Sequence, residues 1–251
     1  MKFTRRSRPS RSRRSHIAPD WPARFRVRAE ACRHTALQHF YSKGTAAPET
    51  PLAETPFAAL DLETTGLDPD QHGIVSLGVV PFRLERIHCR QGRYWVVRPR
   101  RDLATGSVMI HRLTHARVSD APDLEEVLAE LLASLAGRVV VVHYRGIERR
   151  FLRRAVTERW GEPLEFPVVD TMEIEARLHR GVGRSRAVRW FRKFMGGQSV
   201  SLRLAASRAR YHLPDYAPHH AFTDALASAE LLQAQVAHHF SPDTPISKLW
   251  C

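Results

Sequence analysis

The sequence predicts an α/β fold, and three observations carry that reading. First, the apolar run Phe57–Leu60 leads into Asp61 and Glu63 and breaks at Thr64-Thr65-Gly66, the pattern of a buried strand ending in a turn. Second, the apolar runs Ile74–Phe82 and Arg93–Val97 follow closely and form an antiparallel meander with the first. Third, short strand-like runs then alternate with helical ones, the order expected of an α/β protein.

The elements follow in order. Residues 1–18 hold seven lysines and arginines and no acid. The segment repels itself and is expected to be disordered. It reads equally as a non-specific phosphate binder or as a solvated tail, and its Arg/Ser-rich composition also resembles an organellar transit peptide. Asp20 to Tyr41 reads as one helix on the outside of the domain, with Asp20 as N-cap, Pro22 in the first turn and Gly44 beyond its end. Pro48, Pro51 and Pro56 mark a linker into the first strand. After the meander, the spacing of Leu124, Leu128, Leu131, Leu132 and Leu135 predicts a helix over 123–136. Val139–Val142 is a short buried strand, Gly146–Trp160 a helix, and Phe166–Val169 a strand ending at Asp170. Helices follow at Thr171–His179 and Ala221–Phe240. The sequence thus falls into a basic tail (1–18), a helix and linker (19–54), a main domain (55–240) and a C-terminal tail (241–251).

Composition narrows the function. The protein has 251 residues and is 43% hydrophobic, enough to pack a core over most of its length. A net charge of +13 points to a polyanionic partner, nucleic acid before membrane, since no long apolar span or lipidation signal is present. Cys32, Cys89 and Cys251 are far apart and odd in number, which fits a reducing compartment rather than a disulfide framework or zinc site. The expected location is the cytoplasm of a bacterial cell. Residues 177–210 hold ten positive charges, no acid, and the rings of Trp190, Phe191 and Phe194. Such interleaving suits a single strand, with arginines on phosphates and rings under bases. The same residues also fit a solvated face over core aromatics.

The chemistry centres on acids. Asp61 and Glu63, at i and i+2 on one strand, share a face. Their mutual repulsion calls for a cation between them. Glu148 follows a buried strand in the first turn of the next helix, and Asp224 lies in the early turns of the last. Acids at strand ends and helix starts line a crevice in an α/β sheet. Four of them around one cavity suit two Mg²⁺ or Mn²⁺ ions about 3.5–4 Å apart. One ion activates water and the other stabilises the leaving oxygen of a phosphoryl displacement, with a nearby histidine taking the proton.

These motifs resemble those of the DEDD-type 3′–5′ exonucleases with a catalytic histidine, the DnaQ-like superfamily that includes proofreading ε-type exonucleases. The family's D-x-E-T-T-G appears as Asp61-Leu62-Glu63-Thr64-Thr65-Gly66, and its H-x-A-x-x-D-A as His219-His220-Ala221-Phe222-Thr223-Asp224-Ala225. Ile110-His111-Arg112-Leu113-Thr114 looks like its I-H-G-I-T, and Asp170-Thr171 like its central Asp-Thr pair. The second motif, H-N-x-x-F-D, departs: His143-Tyr144-Arg145-Gly146-Ile147-Glu148 puts Glu for Asp and Tyr for Asn.

The resemblance, spanning residues 55–240, implies a ribonuclease H-like fold: a mixed five-stranded sheet flanked by helices. It implies that Asp61, Glu63, Glu148 and Asp224 bind two Mg²⁺ or Mn²⁺ ions and that His219 is the general base. It also implies that Leu62, Thr64, Thr65, Gly66 and His111 contact the 3′-terminal nucleotide. His220 is expected to be a bystander, and His143 and Asp170 structural. The implied reaction is release of 5′-mononucleotides from nucleic acid, DNA favoured over RNA, single-stranded before double. The altered second motif leaves one alternative, a nucleic-acid-binding or polymerase-accessory module with a weakened site. Only residues 241–251 follow the last helix, which favours a free-standing repair or processing enzyme over stable polymerase association. Oligomeric state is not legible.

Overall fold

The computed structural model describes residues 19–100, 113–181 and 200–251. Its centre is a five-stranded mixed sheet of β1 (Phe57–Thr64), β2 (Ile74–Phe82), β3 (Arg93–Val96), β4 (Val139–Val142) and β5 (Val168–Asp170), in the order β3-β2-β1-β4-β5. The β1-β2-β3 meander is antiparallel, while β4 and β5 run parallel to β1. β1 is therefore central. Seven of its eight residues are buried and only Asp61 opens partly to solvent, so the acids enter the core on a rigid element.

The helices are α1 (Trp21–Ala31), α2 (Thr35–Ser42), α3 (His115–Ser119), α4 (Leu124–Leu135), α5 (Arg145–Trp160), α6 (Thr171–Gly181), α7 (Leu204–Arg210) and α8 (Ala221–His239). α8 lies across β1 and β2 and touches β4, α6 and α7. α4 packs on β2, α5 on β1, and α2 on α4. The strand and helix runs foreseen from the sequence form within a residue or two of their expected ends, which is the ordinary uncertainty of an element boundary.

One prediction fails. The single helix expected over Asp20 to Tyr41 is two helices. Asp20 does cap α1, its carboxylate accepting from the Ala23 amide at 3.0 Å. The backbone then turns extended at Cys32 (ψ 139°). The amides of Arg33 and His34, which a continuous helix would use internally, donate instead to the Glu162 carboxylate at 3.0–3.1 Å. The His34 ring stacks on Trp160, centroids 3.7 Å apart. A tertiary contact 128 residues away thus wins over local helix propensity.

The terminal segments are not peripheral. Trp21, Phe25, Leu37, Phe40 and Tyr41 join the same hydrophobic core as the sheet, and so do Ile246, Leu249 and Trp250. Single β-bridges tie Pro51 to Pro245 and Val169 to Trp250. Cys32 is buried, as a small apolar residue would be. Among the described residues no helix is long and apolar enough to cross a membrane.

Candidate metal centre

The pleat puts Asp61 and Glu63 on one face of β1. The sheet register sets Gly78 of β2 directly opposite Asp61. A Cβ at Gly78 would lie 2.3 Å from the Ala221 carbonyl group and 2.4 Å from the Phe222 nitrogen. Only glycine, therefore, lets the first turn of α8 press against the sheet at this point. That close approach carries Asp224 to the acids of β1: carboxylate oxygens of Asp61, Glu63 and Asp224 all lie within 4.8 Å of one another. Gly78 is a packing position beside the acids that the motifs do not include. A signal for it does exist, since an isolated glycine inside an apolar strand marks close backbone approach.

Glu148 arrives from the other side on α5. It is 3% exposed, and its Oε2 is buried without a hydrogen-bond partner among the described residues. Burial pushes its carboxyl well above the usual range, helped by the charge of Asp170. Burial also pushes Asp61 far up, followed by repulsion from Glu148, Glu63 and Asp224. Asp224 is raised for the same reasons, burial first and then Glu63, partly offset by hydrogen bonds from the His219 and His220 amides. Charges that raise one another's pKa in a buried cleft ask for a cation. An all-carboxylate oxygen set with an orphaned buried oxygen beside it fits a hard divalent ion. Glu148 stands outside the 4.8 Å triple, yet its charge acts on Asp61.

The helix starts are shaped for this. Tyr144, the N-cap of α5, has φ +93°, and His219, just before the N-cap of α8, has φ +68°. Non-glycine residues in this region store about 1–3 kcal/mol each, and such strain gathers at functional sites. The His219 side chain is exposed, while its amide donates to Asp224 Oδ2 at 2.9 Å. His220 points elsewhere: its ring stacks on Tyr94 at 4.5 Å, and its Nδ1 accepts from the Thr223 amide as the cap of α8.

The remaining expected residues divide. Leu62 is buried in the core. Thr64 Oγ1 donates to the Gly66 carbonyl at 2.7 Å, and Thr65 Oγ1 accepts from the Gly73 amide at 3.0 Å. Both hydroxyls thus shape the turn that follows β1. Gly66 sits against the His72 ring, leaving no room for a Cβ. His143 bridges the Thr171 hydroxyl and the Leu202 carbonyl, both at 2.8 Å. Burial lowers its pKa. Asp170 accepts the amides of Tyr144, Arg145 and Met172 at 3.0–3.1 Å and pairs with the Arg145 guanidinium at 3.2 Å. It caps α5 and α6 together. His111 lies outside the described residues, as do Trp190, Phe191 and Phe194.

Where it is described, the basic stretch 177–210 is partly neutralised, although Arg203 is exposed. Arg208 is 3% exposed and is bound by the Ala227 and Pro214 carbonyls and by Glu230. Arg210 binds Glu175, and Arg177 binds Glu173. Burial opposes the Glu175 charge, but donors from Gln235, Tyr211 and Arg210 outweigh it and hold its pKa below the ordinary value. The sequence shows a run without acids. It does not show that acids from α6 and α8 fold over the run.

Comparison with known proteins agrees with this geometry. The RNase T exonuclease family matches residues 58–232, the sheet and its acids together. The ε subunit of DNA polymerase III from Treponema pallidum is 26% identical over 183 residues, covering 73% of this chain and 77% of that protein. A PolC-type DNA polymerase III from Thermotoga petrophila is 31% identical over 122 residues, 49% of this chain. The match spans only 9% of that polymerase's length. The nuclease domain of 3′hExo, a DEDDh family member solved bound to rAMP, superposes with a TM-score of 0.57 at 14% identity, covering 73% of this chain and 92% of that one. The five-stranded sheet, the order of the motifs and the family match lead to one conclusion: this protein belongs to the RNase T exonuclease family, the DnaQ-like 3′–5′ exonucleases of ribonuclease H-like fold.

Proposed function

We propose that the protein is a metal-dependent 3′–5′ exonuclease that removes 5′-mononucleotides from single-stranded DNA. The observation that carries this is the meeting of Asp61, Glu63 and Asp224 within 4.8 Å beside the orphaned Oε2 of Glu148. In this reading these four acids hold two divalent ions, Mg²⁺ or Mn²⁺. Such ions, when bound, supply Lewis-acid stabilisation and a nucleophile at neutral pH. The protein's own residues do the rest. His219, exposed and next to the cap of the helix that carries Asp224, takes the proton of the attacking water at its imidazole. The left-handed backbone at His219 goes with an amide that steadies Asp224. The turn at Thr64–Gly66, fixed by its own hydroxyls, offers its backbone, with that of Leu62, to the terminal nucleotide.

DNA is favoured because the relatives matched by sequence are DNA polymerase III proteins. The same relatives support association with a polymerase. The neighbour bound to rAMP keeps RNA as a substrate to be compared. The test is a degradation assay on matched 5′-labelled DNA and RNA, single- and double-stranded, with Mg²⁺ and with Mn²⁺, comparing wild type with Asp61→Ala. The proposal expects stepwise shortening of single-stranded DNA from its 3′ end by wild type alone. Tight binding without shortening in either metal would instead mark a binding module with a weakened site.

A further inference from the structure

Away from the acids, α1 and α5 enclose a cavity of about 300 Å³, lined by Trp21, Arg24, Arg149, Arg150 and Arg153, with Glu165 the one acid on its wall. Four arginines line it with one acidic side chain. Glu165 is stretched between three arginines, Arg24 at 3.8 Å, Arg28 at 3.7 Å and Arg153 at 3.9 Å, and satisfies none of them with a close bond. Arg150 has no acidic partner among the described residues. Arg149 is tied by its Nη2 to the Phe166 and Cys251 carbonyls at 2.7 and 2.5 Å, which fixes its position, and the charges of Cys251 and Glu165 offset its own in part. Burial presses its pKa down, against the pull of Cys251 and Glu165. Trp21 forms the floor. The guanidinium carbons of Arg24 and Arg149 each lie 5.4 Å from the centre of its ring, and its Nε1 is buried without a hydrogen-bond partner among the described residues.

Fixed arginines over an aromatic ring are how proteins hold a nucleic-acid backbone. The cavity opens on the helix that carries Glu148. Arg149, Arg150 and Arg153 lie one to five residues further along α5, within about 8 Å of helix rise. Pro19, Trp21 and Arg24 of its wall precede the family match at residues 58–232. Part of the cavity thus lies outside the matched region.

We propose that the α1–α5 cavity is a second nucleic-acid site, holding phosphates of the substrate strand away from the end being cleaved. The choice of nucleic acid rests on the exonuclease reading, and the site gives the enzyme a preference for long strands over short ones.

The test is binding of fluorescent single strands of about 4 and about 16 nucleotides, by anisotropy in EDTA so that no cleavage occurs. The double variant Arg150→Glu/Arg153→Glu is compared with wild type, and its fold is checked by thermal melting. Arg150→Gln/Arg153→Gln serves if the first variant does not fold. The expected result is at least a tenfold loss of affinity for the longer strand, with the ratio of long to short affinity collapsing. The salt dependence should become shallower by about 1.4, from two lost phosphate contacts at about 0.7 each. An unchanged length ratio and salt slope would overturn the proposal. So would complete displacement of the long strand by millimolar inorganic phosphate, which would mark a small-anion pocket. If wild type cleaves nothing in Mg²⁺ or Mn²⁺ while the binding difference persists, the exonuclease reading falls and the second site stands.

Discussion

Two helix starts, those of α5 and α8, solve the same problem in different ways. Each delivers one acid to β1, and each acid stands four residues past its N-cap: Glu148 after Tyr144, Asp224 after His220. Each start holds a residue in the left-handed region. The difference lies in where the free amides go. At α8 the amides of His219 and His220 donate to Asp224 itself, at 2.9 and 3.3 Å. At α5 the amides of Tyr144 and Arg145, one position further along, donate to Asp170, and Glu148 keeps a buried oxygen with no partner among the described residues. Asp224 thus stabilises the fold as well as the site. Glu148 is costly to the fold unless a cation meets it.

The largest effect that tests this contrast is on activity. Asp224→Asn and Glu148→Gln should each reduce kcat about 10³-fold, since in the proposed mechanism each removes a ligand of ions worth several kcal/mol to the transition state. Stability should separate them. Glu148→Met, near in volume, removes a buried unpaired carboxyl and should raise the melting temperature of the metal-free protein. Asp224→Leu should lower stability by about 1–3 kcal/mol, because two amides lose their acceptor. If both variants move the melting temperature the same way, the contrast is wrong.

Gly78→Ala comes next. A methyl group there meets backbone rather than a yielding side chain, so the start of α8 must move. The expected costs are about 1–3 kcal/mol of stability and activity lost through separation of Asp224 from Asp61. Circular dichroism melts and the nuclease assay read both.

His219→Ala should lose about 10²–10⁴-fold in kcat with little change in melting temperature. His220→Ala should keep its chemistry and lose about 1 kcal/mol of helix cap.

The smallest effect is on pH dependence. Asp61, Glu148 and Asp224 all have pKa values raised in the folded state, so the metal-free folded protein holds more protons than the unfolded polypeptide. The stability this lends is full below the ordinary carboxylate pKa of about 4 and is lost as pH rises through the raised values. Metal-free melting temperature should therefore fall as pH climbs above that range. Mn²⁺ at about 100 times its Kd should add about 2.7 kcal/mol and oppose the fall. A metal-free melting temperature that rises over the same range would contradict the raised values.

Much of this is legible in the sequence. Asp61 and Glu63 sit on an apolar run whose period and length announce a strand, and His219 and Asp224 open a long amphipathic helix. Local pattern carries both. What is not legible depends on contacts between distant segments. Glu162 splits the first helix because it reaches two amides 128–129 residues away. The arginines near residue 208 are neutralised by Glu175 and Glu230, one outside the acid-free run on each side. Asp170 looks like a lone acid at a strand end and is the shared cap of two helices. Gly78 is visible as a letter. Its meaning requires knowing that α8 crosses β2 at that point.

The central claim is that Glu148, glutamate where the family motif has aspartate, completes a metal centre with Asp61, Glu63 and Asp224. Calorimetric titration of Mn²⁺ into wild type, Glu148→Gln and Asp61→Asn tests it without requiring a substrate. The account predicts two ions bound by wild type, loss of one in Glu148→Gln, and loss of measurable binding in Asp61→Asn. Binding by Glu148→Gln with the stoichiometry and affinity of wild type would contradict it.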